Sequence, residues 1–175
     1  NSGPSNGKIA CTNEDYLSVS FTTRYDTVIG SALIRWNIGE IQWIEPSYST
    51  ESVGCVRIID PDMNMNPNKI DEFKIRVWSD SDVRGLWITV HETHNATGIF
   101  EGRVRFSTKK RDDCLLVQDG DTITAEYKDK TLPSPYTLKD ELTITATSII
   151  GAIIPPIERV SIKHCRVTNE EGNAV

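Results

Sequence analysis

A chain of 175 residues is long enough to bury one good-sized core without covalent staples, and its 19 basic and 25 acidic residues leave it with a net charge of −6. That balance excludes the basic face that binding to nucleic-acid phosphates requires. The longest apolar run, Ile149-Ile150-Gly151-Ala152-Ile153-Ile154, stops at Pro155-Pro156. It falls short of the roughly 18 residues of a spanning helix, so no transmembrane segment is expected.

In chain order, apolar residues recur with a period of two rather than 3.6, which predicts strands throughout. Leu17, Val19 and Phe21 share one face of a strand over 16–21, and a second run covers 27–36. Ile41 and Trp43 mark a short strand ending before Pro46, after which Ser47-Tyr48-Ser49-Thr50 reads as a turn. Val56 and Ile58 alternate with Cys55 and Arg57 over 53–59, and Phe73, Ile75 and Val77 alternate with Lys74, Arg76 and Trp78. Strands over 86–91, 100–106, 115–117, 122–127 and 142–150 complete the series, with a Pro133-Ser134-Pro135 loop between the last two. Many short strands separated by turn signals predict an all-β fold, an antiparallel immunoglobulin-like β-sandwich, with a barrel as the competing architecture.

The two ends of the chain resemble each other. Asp15-Tyr16-Leu17-Ser18-Val19-Ser20-Phe21 aligns with Asp121-Thr122-Ile123-Thr124-Ala125-Glu126-Tyr127. Each copy has a cysteine upstream (Cys11, Cys114) and a later β-rich run closing in a glycine (Gly39, Gly151). The likeness divides the chain into three segments. Residues 1–39 are the closing strands of a partial repeat or an assembly arm, 40–151 a whole sandwich, and 152–175 a Pro-containing linker or strand leading to a neighbour.

Cys11, Cys55, Cys114 and Cys165 lie far apart with no Cys-x-x-Cys pair. That spacing argues against a zinc ribbon and for two disulfides in an oxidising compartment, with three pairings open. Asn95-Ala96-Thr97 is an acceptor pattern for N-glycosylation, and both features predict an extracellular or cell-surface location.

The stretch from Asp60 to Asp71 places oxygen-bearing side chains at 60, 62, 64, 66, 68 and 71, the composition a hard cation selects. It imitates an EF-hand loop but has Met65 where the sharp turn needs glycine, and its flanks are strands. The expectation is a Ca²⁺ site built from Asp60, Asp62, Asn64 and Asp71 and completed from other loops by Asp80, Asp82, Glu92 or Asp121. The bland alternative is that Asp, Asn and Pro simply make turns, with Arg57, Lys69 or Lys74 balancing the charge. His91-Glu92-Thr93-His94 does not chelate zinc from a strand, because residues three apart point to opposite faces. Glu92 and Glu101 would act as a glycosidase pair only if they met in space, and Trp36, Trp43, Trp78 and Trp87 read as packing residues before sugar platforms. No nucleophile elbow, phosphate loop or Cys/His nucleophile pattern occurs, so no enzyme activity is expected.

Six segments together carry a family likeness: Gly39-Glu40-Ile41-Gln42-Trp43, Pro46-Ser47-Tyr48-Ser49, Asp60-Pro61-Asp62-Met63-Asn64-Met65-Asn66-Pro67, Trp78-Ser79-Asp80-Ser81-Asp82, His91-Glu92-Thr93 with Thr97-Gly98-Ile99-Phe100-Glu101-Gly102, and Gly120-Asp121-Thr122-Ile123-Thr124-Ala125-Glu126-Tyr127. In this order, over about residues 39–160, the chain resembles the immunoglobulin-like repeats of surface-layer and related cell-surface proteins of ammonia-oxidising archaea. The resemblance implies a secreted module strung in tandem, a structural role in the cell envelope through contacts with copies of itself, and metal at the acidic loops. It implies no catalysis. The four cysteines depart from that pattern. A lattice, a filament joined by strand exchange, and an adhesion or glycan-binding module are the readings it leaves open.

Overall fold

The computed structural model describes residues 9–152, so the reading of Cys165 and nearly all of the 152–175 segment lies outside the described residues. Among the described residues the chain forms eleven strands and one 3-10 turn. They are β1 (Tyr16–Thr22), β2 (Thr27–Leu33), β3 (Glu40–Trp43), β4 (Ser47–Tyr48), β5 (Val53–Ile59), β6 (Glu72–Ser79), β7 (Leu86–Glu92), β8 (Ile99–Ser107), β9 (Cys114–Leu116), β10 (Thr122–Asp129) and β11 (Leu142–Ile150), with the 3-10 turn at Pro61–Met63. None of the described helices is long and apolar enough to cross a membrane.

The period-two pattern becomes the inside and outside of one curled sheet. Its order is β3-β5-β8-β7-β6-β10-β11-β4, with β9 beside β8. The β7–β8 pairing is confined to His91↔Glu101 and Glu92↔Phe100, and the sheet turns its corner there. Val56 and Ile58 from β5, Phe100, Val104 and Phe106 from β8, Ile75 and Val77 from β6, Val90 from β7, and Ile123, Ala125 and Tyr127 from β10 fill a common core. Where the two ends of the sheet approach, the Trp43 indole N–H donates to the Ala146 carbonyl at 3.2 Å, joining β3 to β11 without a strand ladder. The fold is therefore all-β and sandwich-like.

The sheet differs from the expected architecture in being mixed rather than purely antiparallel, because β4 runs parallel to β11 and β9 parallel to β8. Ser47-Tyr48 is a strand rather than a turn. Tyr48 is buried, and its hydroxyl accepts from the Glu45 N–H and donates to the Cys55 carbonyl, which anchors the segment against β5. The run predicted over 27–36 ends at Leu33. Core packing is tight at Gly54, where a Cβ would lie 2.6 Å from the Phe106 ring and 2.9 Å from the Trp43 ring.

β1 and β2 stand apart as a two-stranded sheet of their own. Their one extensive packing partner among the described elements is each other.

Candidate assembly interface

The acidic residues singled out in the sequence do not converge. β6 lies between Asp71 and Asp80, and nine steps of strand at ~3.3 Å each separate them by roughly 30 Å. Asp60, Asp62, Asn64, Asp71 and Glu92 gather at one end of that strand, and Asp80, Asp82 and Asp121 at the other.

At the first end the carboxylates tie loops to strand ends. Glu92 is buried and accepts from the N–H groups of Thr97 (2.8 Å), Gly98 (2.9 Å) and Asp71 (3.4 Å). Burial alone would push its carboxyl up, but these donors together outweigh it and hold Glu92 below the usual carboxylate range. Asp71 in turn accepts from Asn66 N–H at 2.8 Å. Asp60 is fully buried, taking the Asp62 N–H on one oxygen and the Tyr127 hydroxyl on the other at 2.5 Å. Asp62 accepts from the Asn37 N–H, and buried Asp129 accepts from Gly39 N–H at 2.8 Å and Thr131 N–H at 2.8 Å. Burial pushes Asp60 and Asp62 upward, with the charge of Asp129 adding to the push on both. The side-chain oxygen of Asn64 is buried without a partner.

At the far end Asp82 is ion-paired to Lys110 at 2.5 Å, which holds its carboxyl low, Asp80 accepts from Thr122 N–H, and Asp121 accepts from the N–H groups of Gln118 and Ser81.

Among the described residues no group of three or more His, Cys, Asp or Glu side chains is placed to hold a metal ion. The donors do not fit the six to eight oxygens that Ca²⁺ gathers at one point. Seven carboxylates and an amide are divided between two ends, and the carboxylates already accept protein donors. The residues from which a Ca²⁺ site was expected, Asp60, Asp62, Asn64 and Asp71 with Asp80, Asp82, Glu92 or Asp121, thus stand as two separate sets of loop clasps at opposite ends of β6 rather than as one cluster. Sequence reasoning missed Tyr127 and Asp129, although the inward alternation of Ile123, Ala125 and Tyr127 continues to Asp129 and was the signal for it.

Cys11 is exposed, Cys55 half-buried and Cys114 buried, and no two of these three are bonded to each other. Asn95 is exposed between β7 and β8. His91 faces the Glu72 carboxylate at 3.1 Å, while Glu101 points outward to Arg57 at 2.6 Å and Glu92 points inward, so the two glutamates do not face a common cleft.

Among the described elements, the β1–β2 hairpin is the one without an extensive packing partner beyond itself. Its register pairs Leu17 with Ala32, Val19 with Gly30 and Phe21 with Val28, so one face carries only apolar residues and glycine. Val19 is 64% exposed, Phe21 68% and Val28 63%. A lone two-stranded hairpin is marginal in water, and no other described element covers the apolar face of this one.

The hairpin also repeats the local geometry of β10–β11. Before β1, Thr12 N–H donates to the Asp15 carboxylate at 2.8 Å and Asp15 N–H to the Thr12 carbonyl at 3.2 Å. Before β10, Gln118 N–H donates to the Asp121 carboxylate at 3.0 Å and Asp121 N–H to the Gln118 carbonyl at 3.1 Å. Glu14 and Ile34 close their end of the hairpin (Glu14 N–H to Ile34 O at 2.7 Å, Ile34 N–H to Asp15 O at 2.9 Å), as Gly120 and Ile150 close theirs (Gly120 N–H to Ile150 O and Ile150 N–H to Asp121 O, both 2.8 Å). Glu14 adopts φ 66° where Gly120 adopts φ 90°, a left-handed backbone that favours glycine, so the turn is imposed even on a glutamate. No protein-family model matches the chain, and no curated protein matches it.

Proposed function

We propose that this chain is a structural module of an extracellular, cell-envelope assembly, in which like β-units are joined to one another without catalysis. The observation that carries this reading is the β1–β2 hairpin, whose apolar face has nothing over it among the described elements. The exposed sequon at Asn95 and the resemblance to surface-layer repeats support the extracellular setting. Hydrogen bonds and the Asp82–Lys110 pair, rather than calcium, hold the loops in this reading. Immunogold labelling of intact, unpermeabilised cells that make the protein tests it. Regular or filamentous label at the surface is the expected result, and label confined to the cell interior overturns it.

A second reading, an adhesion module for glycans, is favoured by Trp87. This residue is 65% exposed at a groove of about 320 Å³ that also includes Lys74, Lys128 and Lys130. Binding on a glycan array that Trp87→Ala abolishes would support that reading.

A further inference from the structure

We propose that the β1–β2 hairpin is the closing hairpin of a second unit of this same fold, and that its partner is such a unit whose own β10–β11 position is empty. The proposal rests on the assembly reading above and names the partner of the unpaired hairpin.

The equivalence is position by position. The shared turn places Leu17, Val19 and Phe21 where Ile123, Ala125 and Tyr127 stand, and all three of those are buried. On the second strand Ala32, Gly30 and Val28 take the positions of Ser148, Ala146 and Ile144, two small residues followed by a branched one in each. The same alignment puts Ile34 at fully buried Ile150, and Ile9 and Cys11 at fully buried Leu115 and Val117. Each apolar position on the Leu17, Val19, Phe21, Val28 face thus corresponds to one buried in or packed against the core in β10–β11, while exposed Tyr16 and Ile29 lie on the opposite face, at the positions of Thr122 and Thr145.

The edge matches as well as the face. β10 pairs with β6 through Ile123–Glu126, and no described strand pairs the corresponding edge of the hairpin, Leu17 to Ser20, where a strand of the β6 kind would fit. Area decides between this partner and simple face-to-face docking with another hairpin. Two seven-residue strands ~4.8 Å apart offer a face on the order of 200 Å², against about 800 Å² per partner in a stable interface. Only a partner that also pairs the edge and receives Ile9, Cys11 and Ile34 approaches that size. A complete copy of the chain does not offer the position, because its own β10 and β11 fill it.

The test compares the full chain with a fusion that carries a second copy of residues 40–114 directly ahead of Ile9, in the register of the natural 114–115 junction. Phe21 lacks the hydroxyl that Tyr127 gives Asp60, so the fusion is also made with Phe21→Tyr. In the full chain the β1–β2 amides should exchange with solvent rapidly and Cys11 should alkylate readily. In the fusion the amides should gain at least about a hundredfold protection and Cys11 should resist alkylation. Val19→Asp with Phe21→Asp should abolish both effects while leaving β10–β11 protected. Unchanged exchange in both fusions overturns the proposal, as does protection that survives the double aspartate variant. Protection that rises with the concentration of the full chain alone overturns it too, by identifying a complete second copy as the partner. Failure here leaves the surface labelling untouched, and absence of surface label leaves this result untouched.

Discussion

Asp60 shows what a buried carboxylate does to a fold of this kind. Burial, followed by the nearby charges of Asp129 and Asp62, makes its ionised form less favourable in the folded chain than in the unfolded one, and the Tyr127 hydroxyl offsets only a portion of that. Asp62 is shifted the same way. A raised carboxyl contributes stability that is fully present below its unfolded value of about 4 and is lost as pH rises through its folded value. Glu51, Asp82, Glu92, Asp140 and Glu141 are shifted down, and their contribution is present above the ordinary carboxylate range and lost as pH falls through their folded values. The contribution of Asp60 and Asp62 to the urea midpoint should therefore grow as pH falls from neutral toward the ordinary carboxylate range, and Asp60→Asn should flatten that dependence; a difference between wild type and Asp60→Asn that does not change with pH would contradict the assignment. Gly54 makes a second prediction at this scale. Gly54→Ala forces its new methyl against Phe106 and Trp43 and should cost about 1–3 kcal/mol in urea unfolding, whereas a loss below about 0.5 kcal/mol would show that the rings yield freely.

At the scale of elements, the acidic loops act as clasps. Glu92 gathers the β7–β8 turn and the end of the 60–71 loop, and Asp121 holds the turn ahead of β10. Adding a strong chelator should leave the melting temperature unchanged within about 1 °C, and a calcium-dependent increase would show a bound cation instead. Strands such as β5, β6 and β10 were legible in the sequence because their alternation runs for seven or eight residues against a one-sided core. β4 was not, since two residues carry no period and its parallel pairing with β11 joins positions about a hundred residues apart. Which acidic residues share a loop end was not legible for a related reason. Composition shows which side chains can bind a cation, but β6 decides which of them meet. The likeness of the two hairpins was legible, whereas the shared turn appears only once Glu14 is seen in a glycine's conformation.

In the molecule as a whole, the chain enters and leaves the curled sheet at opposite ends. Gly39 is held by Asp129, whose strand partner is Leu142 at the start of β11. Trp43 reaches Ala146 midway, and Gly151 follows Ile150 beyond the end of β11. Tension along the chain would therefore load the β3–β5, β10–β11 and β4–β11 ladders in shear, many hydrogen bonds at once. The β1–β2 hairpin is loaded differently, because its ends Tyr16 and Leu33 face each other and its rungs unzip in succession. Pulled by its termini in an optical trap, the chain should open the hairpin first at low force and then yield in one abrupt high-force event, which Trp43→Phe weakens by removing the clasp to Ala146. The same polypeptide would thus carry a compliant spring in series with a stiff one.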